Sequence, residues 1–392
     1  MWSVNRPFEQ PWSEQPIEPQ QVLYEFDGPL TFTSKVGFFD ALIHKIGQKG
    51  EAHYFLASET NYEIVNALKA GELSVRGALN NDRYWILQTS DDLKVLKYWQ
   101  CPHDQFPEHL LPMRGTPLYS YMKSSPDTLA QAQAFFAMAF SGDELRYGEA
   151  PFSLLKLLVD RSFEAVRRVL SPVFLTGAKS STFDFPVRAV PGSLILALGE
   201  PLINPYRLRQ RISDTSVAAD NAAEYFNYQR ENFFDEMSEL VDQASKGDVR
   251  DSLAEERFSL LDNLQHIIPS DQNRIETVQF TAKKVAGVRS LIVNETSGSR
   301  MHRAFKRIER QPISENGKVE IVNSTSKYFV YRSTRGKQVS CYIPPNTFDQ
   351  MVGDGLLRNG IVVRVRGVLS KRPNRDLLIS TEEPKLIDDF QG

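Results

Sequence analysis

The chain has 392 residues, 41% hydrophobic and 24% charged, with a formal net charge of −3 at neutral pH. That length exceeds the roughly 250 residues one hydrophobic core usually serves, and the composition buries enough apolar surface to exclude long disorder, so roughly two to four domains are expected. No stretch approaches the roughly 20 uncharged apolar residues that span a bilayer, the start carries Pro and Gln where a signal peptide is apolar, and two cysteines, Cys101 and Cys341, exclude a disulfide framework, so a cytoplasmic protein with no membrane partner is expected.

Residues 1–20, rich in Pro, Gln and Glu without apolar periodicity, read as a disordered tail. Residues 21–123 read as an α+β module. Residues 22–26 and 30–33 spell two strands around Asp27-Gly28-Pro29, and 52–56 spells a third. Ile64, Val65 and Leu68 recur at helical spacing before Gly71, 74–79 begins a second short helix, and 83–88 with 93–99 form a hairpin around Ser90-Asp91-Asp92.

Residues 124–273 turn mainly helical, with apolar faces over 129–140, 152–170, 218–244 and 253–268. A β-hairpin interrupts them, 183–188 and 193–198 around Pro191-Gly192. Asp220, Glu224, Glu231, Asp235, Glu236, Glu239 and Asp242 give the longest of these helices an acidic face for solvent or docking. Residues 274–311 form a basic segment of strands 277–281 and 290–293 and a helix near 297–310. Residues 312–392 hold five strands, 318–323, 328–332, 338–343, 361–369 and 377–381, with turns at Gly336 and Pro344-Pro345 and a helical insert at 348–351. They suit a small β-barrel, OB-like or SH3-like. The fold class is α+β and multidomain: an N-terminal α+β module, a mainly helical middle and a C-terminal small β-barrel.

Charge is segregated along the chain. From Arg274 to Arg375 about 20 Lys and Arg face about 7 Asp and Glu, so the remainder is strongly acidic. Such a separation suits an acidic ligand or docking of the two parts on each other. In the barrel, Tyr328, Phe329, Tyr331 and Tyr342 share strands with Arg332, Arg335, Lys337, Arg364 and Arg366. Aromatic faces stack bases while guanidinium and ammonium groups neutralise phosphates. Alternation puts Phe329 and Tyr331 on one face and Tyr328 on the other, and sets Arg364 and Arg366 opposite Val363 and Val365. Arg300, Arg303, Lys306, Arg307 and Arg310 share one broad helix face opposite Met301, Phe305 and Ile308. Lys371 and Arg372 extend the set. The bland reading of the same residues is core aromatics with a solvated basic surface.

Other motifs carry no chemistry. Cys101-Pro102-His103 with Glu108-His109 offers metal-compatible side chains in a short loop, but no second cysteine completes a paired motif, so neither metal nor cofactor is expected. Asp82, Asp91, Asp92, Asp143, Glu144 and Asp160 lack nuclease spacing. Thr176-Gly177-Ala178-Lys179-Ser180-Ser181 departs from a phosphate-binding loop, since Pro172 stands where the first glycine belongs and Ala178 separates Gly177 from Lys179. No nucleophile, base and oxyanion donors assemble by spacing, so no catalytic residue is assigned.

Leu23-Tyr24-Glu25-Phe26-Asp27-Gly28-Pro29-Leu30, Leu56-Ala57-Ser58 and Gly71-Glu72-Leu73-Ser74-Val75-Arg76-Gly77-Ala78-Leu79 resemble an uncharacterised bacterial domain family. Gly317-Lys318-Val319-Glu320-Ile321-Val322, Gly336-Lys337-Gln338-Val339-Ser340-Cys341-Tyr342-Ile343 and Val362-Val363-Arg364-Val365-Arg366-Gly367-Val368 resemble the OB-like or SH3-like barrels appended to bacterial regulatory and defence-associated proteins. The resemblance implies an association with phage defence or toxin–antitoxin pairs and supplies no catalytic residues. The resulting expectation is a non-catalytic binding or adaptor protein that engages nucleic acid or an acidic protein partner through its basic C-terminal part. The alternative is a protein-binding subunit of a phage-defence or toxin–antitoxin complex, and an enzyme with an illegible site is the third reading.

Overall fold

The computed structural model describes residues 2–10, 16–36, 38–142, 145, 151–190, 194–211, 222–270, 273–284 and 287–387. Contacts group the chain into two units, Met1–Met138 with Gln279–Ile292, and Ala139–Val278 with Val293–Gly392. No helix among the described residues is long and apolar enough to cross a membrane.

In the first unit, β1 (Gln21–Glu25), β2 (Pro29–Val36), β3 (Phe39–Lys49), β4 (Ala52–Glu59), β5 (Arg83–Thr89) and β6 (Val95–Pro102) form one antiparallel sheet in sequence order. Helices α1 (Tyr62–Ala70) and α2 (Val75–Leu79) interrupt it between β4 and β5. Successive side chains leave a strand on opposite faces. Leu42, Leu56, Ile86 and Trp99 pack on one side with Leu68 and Leu79 of the helices, while Phe32, Ile43, Phe55 and Leu87 form a second cluster.

The 1–20 segment, read from composition as a disordered tail, is corrected where it is described. Trp2 is buried, edge-on to Trp99 at 5.6 Å and stacked on Phe106 at 6.1 Å, and Ile17 packs on the second cluster. A few aromatic and apolar anchors suffice because the sheet has apolar side chains on both faces.

The chain continues through α3 (Leu129–Gln133), β7 (Phe136–Ser141), α4 (Phe152–Val169), β8 (Phe183–Asp184), β9 (Val187–Val190), β10 (Leu194–Leu198), β11 (Leu202–Ile203), α5 (Pro205–Arg209), α6 (Ala222–Lys246), α7 (Asp251–Glu256), α8 (Phe258–Leu264), β12 (Thr277–Lys284), β13 (Gly287–Asn294) and α9 (Glu295–Arg307). The expected helix over 129–140 is instead α3 followed by the strand β7, buried at four of its six positions. A strand buried on both faces needs a continuous apolar run, the same signal a buried helix gives. The expected helix over 253–268 breaks at Arg257 into α7 and α8. The Pro191-Gly192 turn, residues 218–221 with Asp220, and Asp143 and Glu144 lie outside the described residues.

The C-terminal strands are β14 (Pro312–Asn323), β15 (Tyr328–Ser333), β16 (Gln338–Tyr342), β17 (Val362–Ser370), β18 (Asp376–Ile379) and the short β19 (Lys385–Leu386), with α10 (Pro345–Gly353) between β16 and β17. Five of them close a barrel in the order β14-β15-β16-β18-β17, and β17 pairs back to β14. The β16–β18 pair is parallel and the other four pairs are antiparallel. Inside lie Ile313, Val319, Phe329, Val339, Cys341, Val363, Val365 and Leu378, all buried. Gly317 admits the Tyr331 ring, since a Cβ there would sit 2.4 Å from Tyr331 Cδ2 and 2.6 Å from the Arg332 carbonyl oxygen.

Charge also enters this core. Glu315, 1% exposed, accepts hydrogen bonds from Tyr331 Oη at 2.9 Å, from Arg335 Nε at 2.5 Å and from the Ser333 hydroxyl. Arg335, 2% exposed, also donates to Asp376 at 3.0 Å and lies 3.7 Å from Asp262 of α8. Burial works against the charge on Arg335, and the Glu315, Asp262 and Asp376 carboxylates outweigh it, so the guanidinium pKa rises. Burial, with Glu315 beside it, pushes the Tyr331 phenol well above its usual range. Two expected binding residues, Tyr331 and Arg335, are therefore interior groups of the barrel.

Removing one partner from such a network strands the others without water. Arg335→Ala is expected to lower unfolding free energy by about 3–5 kcal/mol in urea melts, while the exposed neighbour substitution Lys337→Ala changes it by less than about 0.5 kcal/mol.

Candidate functional site

The basic helix shows where much of the positive charge goes. Met301, Ala304, Phe305 and Ile308 are buried, and Phe305 stacks on Phe258 at 5.3 Å. That anchoring lays the arginines of α9 along the end of α6. Arg300 donates to the carbonyl oxygens of Ala244 at 2.6 Å and Ser245 at 3.3 Å, where a helix end leaves acceptors without intrahelical partners. Arg303 lies 3.4 Å from Asp248, and Arg307 donates to the Val249 carbonyl at 2.7 Å and to Asp251 at 3.0 Å. Lys306 and Arg310 stay exposed.

The strand residues divide in the same way. Arg332 donates to Glu320 at 2.6 and 3.3 Å. Its stem lies over Gly177, where φ is +73° and a Cβ would sit 2.4 Å from Arg332 Cδ. Burial raises the Glu320 pKa, but hydrogen bonds from Arg332 and Gln338 outweigh it and set the carboxyl below its usual range. Glu320 therefore stays anionic and neutralises Arg332. Lys371 reaches Asp262 at 3.1 Å and lies 4.8 Å from the Phe305 ring centroid. Arg364 and Arg366 point outward while Val363 and Val365 are buried, as alternation requires. Arg364 donates to Asn316 at 2.9 Å, and Arg366 lies 4.0 Å from Glu255 and 3.9 Å from Glu382.

A different face is left open. Tyr328 and Tyr342 stand directly opposite each other on β15 and β16, with centroids 5.2 Å apart and planes at 23°. Tyr342 is 41% exposed. Beyond it on β16 lie Ser340 and Gln338, and Arg375 donates to the side-chain amide oxygen Oε1 of Gln338 at 3.5 Å. Exposed Arg372 and Asn374 complete the rim of a depression of about 420 Å³. The loop between β17 and β18 is held to the core, because the Arg372 backbone N–H donates to Asp376 at 3.0 Å, the carboxylate that also receives Arg335.

Of the residues read as binding, Arg372 and the strand aromatic Tyr342 line this depression, and exposed Lys337 stands next to Gln338 in sequence. Asn374 and Arg375 were missed, although Arg372-Pro373-Asn374-Arg375 carries a turn signature with flanking arginines. Tyr342 was legible as a strand aromatic. Among the described residues no three His, Cys, Asp or Glu side chains gather as a metal would need. Cys101 is buried, and His103 pairs with Tyr84 Oη at 2.7 Å.

Arg307→Ala should lower stability by about 1–2 kcal/mol, since it loses a carbonyl and a carboxylate partner. Lys306→Ala on the same helix should move it by less than about 0.5 kcal/mol. Urea unfolding of the two variants checks the difference.

No protein-family model, no curated protein and no solved structure matches the chain, so its functional reading rests on this geometry.

Proposed function

We propose that the protein is a non-catalytic binding or adaptor protein that holds single-stranded nucleic acid on the outward face of β15 and β16. The observation that carries the reading is the stacked Tyr328–Tyr342 pair with Arg372 and Arg375 beside the same strand. Exposed rings accept bases by stacking with little regard to sequence, and arginines neutralise the adjoining phosphates.

The barrel supports it. Its strand order, its parallel β16–β18 pair and its helix between β16 and β17 favour reading it as an OB-type over an SH3-like barrel. OB-type barrels take oligonucleotides or oligosaccharides on their second and third strands and on the loops joining strands one to two and four to five. Here these are β15, β16 and residues 324–327 and 371–375. The alternative, a protein-only partner in a defence or toxin–antitoxin complex, is the outcome favoured if the protein isolated from native cells carries protein and no nuclease-sensitive material.

Fluorescence anisotropy with a labelled single-stranded oligonucleotide tests the face directly. Tyr342→Ala should weaken binding by about 1–3 kcal/mol. Arg372→Ala and Arg375→Ala should each reduce the slope of log affinity against log salt by about 0.7. Folded variants with unchanged affinity and slope would sink the reading.

A further inference from the structure

A second cleft, of about 460 Å³, opens in the second unit between α6, the α7–α8 pair and the outward sides of β14 and β17. Its lining is polar and balanced, with five basic and five acidic side chains. That balance argues against a polyanion, which the carboxylates would repel, and separates this cleft from the face assigned to nucleic acid.

The charges are incompletely matched to each other. Arg257 pairs with Glu236 at 3.2 Å and Glu239 at 3.4 Å. Arg366, however, stops 4.0 Å from Glu255 and 3.9 Å from Glu382, beyond hydrogen-bond reach. Arg364 uses its Nε on Asn316. Guanidinium donors and carboxylate acceptors thus stand side by side with open valences. Partial exclusion of water raises the Glu236 pKa, with Arg257 and Arg364 pulling it down.

The wall of the cleft carries a second sign. Asn263, 8% exposed, donates through Nδ2 to the Thr334 carbonyl at 3.3 Å, yet its Oδ1 has no partner, and neither do Ser259 Oγ or Arg257 Nε. A buried polar atom left without a partner loses the hydrogen bonds it had in water and gains none in exchange. Three around one cleft are accounted for if something else supplies their hydrogen bonds.

We propose that this cleft binds a small zwitterion of the amino-acid class, a free amino acid or a short peptide, whose carboxylate accepts from Arg364 and Arg366 and whose ammonium donates to Glu255 and Glu382. A ligand with only one of the two charges would cover the opposite set and leave it desolvated.

Calorimetry on the full chain with the common amino acids and dialanine, beside their N-acetyl and amide derivatives, tests the assignment. At least one zwitterion should bind, and each singly charged derivative of it should bind at least about tenfold more weakly. Arg364→Ala and Glu255→Gln, both at the rim, should each weaken the zwitterion by a similar factor at an unchanged unfolding midpoint. Absence of binding at about 10 mM, a derivative that binds as tightly as its parent, or unchanged affinity in both folded variants would overturn the proposal. If either variant fails to fold, the comparison of derivatives on the unaltered protein decides alone.

Discussion

A guanidinium can stay inside a barrel only where carboxylates replace the water it loses, and Arg335 meets that condition with groups from three distant parts of the chain. Glu315 comes from β14, Asp376 from the start of β18 and Asp262 from α8. A buried network of this kind adds little net stability over apolar residues of equal volume, but alternative arrangements leave a charge unpaired. It therefore selects one register between the barrel and the helices of its own unit. The effect reaches the surface, because Asp376 also receives the backbone N–H of Arg372 and so fixes the loop that carries Arg372 and Arg375. The proposed nucleic-acid face depends on that interior charge without containing it.

The segregation of charge has a partly internal explanation. Arg300, Arg303 and Arg307 lie on the end of α6 and the residues after it, Lys371 reaches Asp262, and Arg366 approaches Glu255. The acidic middle is thus a docking partner of the basic C-terminal part. What this docking leaves over is smaller than the composition suggests, and apart from exposed side chains such as Lys306, Arg310 and Lys337 it gathers in two chemically different places. One has the exposed Tyr342 ring, stacked on half-buried Tyr328, beside arginines, as the proposed nucleic-acid face requires; the other has both signs at short range, as the proposed zwitterion requires.

Much of the fold was legible because period and turn chemistry agree with the final packing. The alternation of Val363, Arg364, Val365 and Arg366 predicts the inward and outward sides of β17, and the insert near 348–351 is α10. The strand β3 escaped because its second half, Lys45 to Lys49, is polar with a glycine and shows little apolar alternation. The run from Phe135 to Phe140 misled because it is apolar at every position, which leaves periodicity unable to tell a buried helix from the strand β7.

The site was less legible, and Arg335 and Arg372 show why. Each is an arginine next to a strand of the same barrel, and nothing local separates them. By itself the sequence indicated that five short strands with these turns suit a barrel, and that the basic segment suits an acidic ligand, docking on the acidic remainder or plain solvation. Only the tertiary structure decided which positive groups face inward or are neutralised and which stay open. That choice depends on carboxylates brought close from positions 262, 315 and 376, and the field of a charge acts through space rather than along the chain.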